Sequence, residues 1–407
     1  MAATVEVQAH VLRDYRLAGW EERISGRWHY RDLIADEDWR NGWISFDAVA
    51  WNPHDRQVYC GLNSIDGDLL YKFDPRMQSF ACLQTQGWTD RFDVKIHRTL
   101  LYNGKERCFY FGTSMLHDVD EQPDARGGKL VRYDPAANHY DILGVPVPML
   151  YIQSLAADFD RGLIYGFTYP AEALFEFDLA TRESRILAYT GNALMMSQPH
   201  NPVVDGDGWL WGTYAETRAW DETPSERPVR VFKYHPEGRR FGWFEWGLPR
   251  REDSGQLLAD PPKPAGAPSS LAETRHTQDH GFCDSMLFDG RHHIYAGTVA
   301  GVLCRIDTRT DCVEKLAHVM ATGRFPALAI GRDGTIYGAG GMRGYTQVMR
   351  LRPESDHIES FSELVDARID DRPARIHELA VGDDDTLYLA ENDNHHRSSY
   401  LWSARII

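Results

Sequence analysis

Histidine, arginine and tyrosine supply the side chains whose type and placement could do chemistry in this sequence. His97 lies in KIHRTL, and His117 closes the segment FYFGTSMLHD that follows it. Imidazole titrates near neutrality, so two histidines that meet could serve as base and acid, or as metal ligands. Arg324 and Arg375 stand just ahead of the hydrophobic runs PALAI and HELAV, where apolar or small residues would be ordinary. Charged groups are seldom buried there unless paired or engaged by a ligand. Tyr169, in LIYGFTYP, lies beyond an aromatic run, where a phenol can either pack or reach a substrate. HTQDHGFCD contributes His276, His280 and Cys283, and the C-terminal HELAVGDD and NDNHHR contribute His377, His395 and His396. These are zinc-type ligands, with His280, Cys283 and His377 the set expected to hold an ion. The spacing matches no finger, and 17 histidines make chance clustering easy. A bound zinc or other divalent metal is expected to be structural.

The elements that must position these residues recur along the chain. FDAVAWNPHDRQVYCG, HRTLLYNGKERCFYFG, QSLAADFDRGLIYG, NPVVDGDGWLWG, CDSMLFDGRHHIYAG, PALAIGRDGTIYGAGG and HELAVGDDDTLYLAE each read as strand, tight turn and aromatic strand. A second series follows them in order: LLYKFDP, LVRYDP, LFEFDL, VFKYHP, LCRIDT, VMRLRP and YLWSAR. Two series with one count, alternating apolar and polar residues, and no sustained helical period predict an all-β chain. The expected fold is a seven-bladed β-propeller of four-stranded antiparallel blades. The last repeat runs out at Ile407, so the N-terminal segment, with VEVQAHVL and GRWHYRDLI, is expected to pair with the last blade and close the ring. Residues 1–407 read as a single domain, with a Pro-, Ala- and Ser-rich insertion at about 247–279 that serves as a surface loop or a lid.

Aligning the hairpins on their aromatic strands puts Phe46, His97, Ile152, Gln198, Phe282, Arg324 and Arg375 at one position, where each innermost strand begins. A slip of one or two residues admits Gln153, His200, His280 and His377. Innermost strands surround the axis of a propeller, so the polar members of this set are expected to face one funnel. That convergence makes a binding site there the expected function.

Composition narrows the classes. Apolar residues are 43% of the chain and aromatics 12%, enough for an extensive core. The formal net charge is −16, and no Lys/Arg run marks a nucleic-acid partner. No stretch is apolar and long enough to span a membrane, and MAATVEVQAHVLRDYRL lacks the pattern of a secretory signal, which predicts a cytoplasmic protein without membrane contact. The six cysteines show no CxxC spacing, so no disulfide framework is expected.

KIHRTL, FYFGTSMLHD and IYGFTYP, together with the repeats, resemble the seven-bladed propeller polysaccharide lyases, the group of ulvan lyases and rhamnose–glucuronate lyases. The resemblance implies β-elimination at a uronic acid within an anionic oligosaccharide. It implies catalytic roles for His97, His117 and Tyr169, and substrate binding by Arg324 or Arg375, with Gln198 and His200 where another arginine is expected in the fourth blade. The chemistry suits these residue types. Arginine pairs a carboxylate bidentately and stays charged, lowering the cost of removing the C5 proton. Histidine or tyrosine takes that proton and a second such group protonates the departing C4 oxygen, and no cofactor is required. Alternative readings are a metal-dependent propeller hydrolase or antibiotic-opening lyase, and a non-catalytic propeller that binds a protein partner. The GH…WD signature that would favour the last is absent.

Overall fold

The computed structural model describes residues 4–16, 34–115, 119–191, 197, 200, 202–216, 227–254, 279–342, 344–394 and 396–407. They form seven four-stranded antiparallel sheets, the fold class of a seven-bladed β-propeller. The chain divides into two compact units, Met1–Ile152 with Leu364–Ile407 (unit 1) and Gln153–Glu363 (unit 2). Among the described residues, no helix is long and apolar enough to cross a membrane.

Unit 1 holds blade 1 (Ser45–Asn52, Gln57–Asn63, Leu70–Asp74, Ser79–Cys82), blade 2 (Leu101–Asn103, Cys108–Gly112, Leu130–Asp134, His139–Gly144) and blade 7. Blade 7 is built from Ile376–Val381, Leu387–Glu391 and Leu401–Ile406, and its fourth strand is the N-terminal Val5–His10. Val5 pairs with Ile406 and His10 with Leu401. Asp366 Oδ2 accepts from the Ala9 amide at 2.9 Å and holds this strand from its outer side. The other segment expected to take part, GRWHYRDLI, lies almost wholly outside the described residues.

Unit 2 holds blade 3 (Tyr151–Asp158, Leu163–Tyr169, Ala173–Asp178, Glu183–Tyr189), whose first strand begins just before the unit boundary, and blades 4 to 6. Their innermost strands are Val203–Val204, Cys283–Phe288 and Ala327–Ile330. Residues 255–278 of the expected insertion lie outside the described residues.

The repeated acidic and amide residues after each first strand close the hairpins. Asp55, Asn103, Asp205, Asp289 and Asp333 each accept a backbone N–H from two residues ahead, at 2.8–3.1 Å. The side chain thus replaces a backbone turn bond, which is why Asp and Asn recur there. The aromatic position of the second strand fills the space between sheets. Tyr59 of blade 1 meets Phe109 of blade 2 at 4.3 Å between ring centroids, and Phe73 of blade 1 meets Tyr388 of blade 7 at 6.4 Å. In unit 2, Tyr165 of blade 3 meets Tyr234 of blade 4 edge-on at 6.1 Å. Burying each such ring is worth about 1.5–3 kcal/mol, which makes the interface between neighbouring blades the core.

Candidate functional site

The innermost strands start in an unusual way in three blades. The strand pairing skips one residue between Phe46 and Ala48, between Cys283 and Ser285, and between Ile376 and Glu378. The bulged residues are Asp47, Asp284 and His377, all polar and all at most 2% exposed. A bulge re-aims a side chain that regular pleating would send elsewhere. Each aims a polar group into a buried cluster, one in each unit.

In unit 1 the cluster is built from blades 1, 2 and 7. His377 lies with its Nδ1 2.8 Å from the Asp47 carbonyl oxygen. A carbonyl only accepts, so Nδ1 carries the proton. Burial, then the positive charges of Arg98, His97, Lys95 and Arg375, hold the His377 pKa well below its ordinary value. The imidazole is therefore neutral and Nε2 keeps its lone pair. The His97 ring stands edge-on to it, 4.8 Å between centroids. Lys95 Nζ lies 2.6 Å from Asp47 Oδ2, and Ser45 Oγ donates to Oδ1 at 3.2 Å. Burial raises the Asp47 pKa, Lys95 opposes that rise, and Asp393 adds to it. Arg375 Nη1 donates to Asp393 Oδ2 at 2.8 Å.

His97 and Arg98 are not on the strand that the repeat predicts. The innermost strand of blade 2 begins only at Leu101, because the preceding segment is drawn aside by other partners. Ile96 N donates to Leu62 O at 2.9 Å, and Ser114 N donates to Lys95 O at 2.7 Å. A Cβ on Gly61 would lie 2.7 Å from Ile96 Cγ2, so glycine is what lets this segment lie against blade 1. The segment reaches the site as a strap between blades, with His97 6% and Arg98 3% exposed.

In unit 2, Asp284 is the hub. Arg324 Nε and Nη2 donate to its two oxygens, each at 2.8 Å. His200 Nδ1 lies 3.3 Å from Oδ1, and Gln153 Nε2 lies 3.0 Å from His200 Nε2. The fork edge that Arg324 was expected to offer a substrate carboxylate is thus engaged by Asp284. The arginine backbone is fixed as well. Its N–H donates to Val299 O at 2.6 Å, and its carbonyl accepts from Gly341 N at 3.1 Å. A Cβ on Gly340 would meet that carbonyl oxygen at 2.3 Å, so only glycine lets the two chains approach.

His117 and Gln198 lie outside the described residues, as do His276 and His395. Tyr169 is the half-buried last residue of its strand in unit 2. His280 packs edge-on against Phe282, and burial lowers its pKa. The Cys283 thiol is directed at the His200 and Ser285 carbonyls, at 3.7 and 3.5 Å. Among the described residues, no three His, Cys, Asp or Glu side chains are grouped to hold a metal ion.

Asp47, Asp284, Lys95, Arg98 and Asp393 were not singled out from the sequence. A signal for the first two was present. SF-D-A, FC-D-S, KI-H-R, YI-Q-S and RI-H-E each place a polar residue directly after a hydrophobic one, at or shortly before a strand start.

No protein-family model matches this chain, and no curated protein matches it in sequence. Solved structures match in fold. Streptogramin B lyase aligns with a TM-score of 0.58 at 11% identity, covering 99% of this chain and 98% of its own. Virginiamycin B lyase from Staphylococcus aureus, as a catalytically inactive histidine-to-alanine variant with quinupristin, gives 0.58 at 10% identity, covering 99% and 100%. The extracellular domain of a putative one-component system from B. thetaiotaomicron gives 0.57 at 14% identity over 89% of this chain. This chain spans only 38% of that chain's length. At such identities the likeness shows the fold alone.

Proposed function

We propose that this protein is a lyase that cleaves uronate-containing oligosaccharides by β-elimination, with its reacting groups in the unit 1 cluster. The observation that carries this reading is a neutral, oriented histidine beside a second histidine and among cations. Elimination needs a carboxylate whose charge is drawn off, a proton acceptor and a proton donor. Arg98 and Arg375 supply positive charge for the substrate carboxylate, and a guanidinium keeps that charge at any working pH. His377 Nε2 takes the C5 proton, because Nδ1 is committed to the Asp47 carbonyl. The electron pair of that C–H bond forms the C4–C5 double bond, the C4–O bond breaks, and His97 protonates the departing oxygen. A positioned acid or base contributes about 10²–10⁴-fold. A bound carboxylate also offsets the cations that depress His377, so the substrate strengthens the base that attacks it.

The test is ultraviolet absorbance from unsaturated uronate on a panel of uronate-containing glycans. A rise with folded protein supports the reading, and none across the panel overturns it. The second reading is an antibiotic-opening lyase; two proteins that share this fold over nearly their whole length are named as lyases. Quinupristin in the same assay, followed by mass spectrometry, separates it from the first.

A further inference from the structure

We infer that unit 2 carries a binding position of its own, built on His200, that takes a neutral hydrogen-bond donor, hydroxyl or amide, at the Nε2 atom. This does not rest on the lyase reading. Asp284, gripped by two arginine bonds, is an ionised, acceptor-only carboxylate. His200 Nδ1 faces that carboxylate and must donate, and a neutral imidazole then offers Nε2 as an acceptor. The Gln153 amide occupies that acceptor now and shows what it takes, an uncharged N–H donor. Gln153 is only half-buried, whereas His200 is 8% and Asp284 0% exposed, so the amide is the more exposed partner of the pair.

A ligand hydroxyl or amide that displaces the amide restores the hydrogen bond to Nε2. The Asp284 charge is matched by Arg324, so an anion gains no net attraction from the pair. The support behind His200 is costly to build. Asp284 is the extra residue of a bulge, and Arg324 holds a left-handed backbone, φ 56°, which a non-glycine residue seldom adopts. Such backbone features cluster at ligand sites.

The experiment is two-bond ¹H–¹⁵N spectroscopy of the full chain labelled with ¹⁵N-histidine. The His200 signals are identified by their loss in His200→Gln, and independently by their shift in Gln153→Leu. The expected free state is the neutral Nδ1–H tautomer. Methyl glucoside, acetamide and glucuronate are then added separately at equal concentration. A shift of the His200 Nε2 resonance with the glucoside assigns a hydroxyl ligand, and one with acetamide assigns an amide. An Nε2–H tautomer in the free protein, a response to glucuronate alone, or no response to any probe overturns the inference.

Discussion

The unit 1 and unit 2 clusters share one backbone device and differ in charge. Both place a polar residue at a bulge where an innermost strand begins, and both orient a histidine through its Nδ1. In unit 1 the partner of Nδ1 is a backbone carbonyl, and the histidine is kept neutral by burial and surrounding cations. In unit 2 the partner is a carboxylate, and its charge is matched by an arginine. The same scaffold position can therefore make a cation-rich cluster or a balanced one. The residues one step away decide which.

Removing a cation from the unit 1 cluster should act through Asp47. Lys95→Met leaves Asp47, fully buried, without its counter-ion, and should cost about 3–5 kcal/mol in denaturant unfolding. Adding Asp47→Asn should recover much of that loss, since the uncompensated charge disappears. Additive losses in the double variant would show that Lys95 stabilises through something other than Asp47.

Acid should weaken unit 1 through its buried histidines. His10 is lowered from 6.5 to about 4, first by burial and then by Arg368, and its Nε2 lies 2.9 Å from Ser403 Oγ. Since the folded value lies below the unfolded one, the unfolded chain takes up the proton first. The stabilisation is complete above pH 6.5 and is lost as pH falls toward 4, by roughly 3 kcal/mol for His10. His377, also depressed, adds a loss in the same direction. His10→Gln should flatten the dependence of unfolding free energy on pH across that window. An unchanged slope would mean that the N-terminal strand does not carry it.

Arg375→Lys sharpens the contrast from the other side. Its bond to Asp393 is partly exposed, at 24% and 38%, so the stability change should be within about 0.5 kcal/mol. Binding of a carboxylate needs the planar fork, so KM for a uronate substrate should rise by roughly tenfold. Equal KM for both proteins would remove Arg375 from substrate binding.

The fold was legible because its signals are local and repeated. Asp55 or Asp205 closes a turn with its own neighbours, and Tyr59 or Tyr165 marks a buried strand by alternation alone. The site was legible only in part. His97, Arg324 and Arg375 stood out as polar residues at strand starts, and His200 and His377 entered through a slip of register. The slip itself was physical, because bulges at Asp47, Asp284 and His377 insert a residue that no regular alternation anticipates. Lys95 and Arg98 were hidden because the strap that carries them pairs across blades, a long-range contact with no local pattern. The commitment of Arg324 to Asp284 could not be read from either residue's surroundings in sequence.

His97 tests the central claim most directly, because it is both in the cation-rich cluster and the proposed proton donor. Elimination rates and melting curves should be measured on the same preparations of wild type and His97→Asn, with a uronate glycan that the wild type cleaves. The account predicts a fall in rate of roughly 10²-fold or more with a melting temperature close to wild type. His377→Asn should lose a comparable factor, and the double variant should be far from additive, since both act on one event. Substantial elimination by folded His97→Asn protein, or a loss of activity that merely tracks a stability loss of about 0.5–3 kcal/mol, would contradict it.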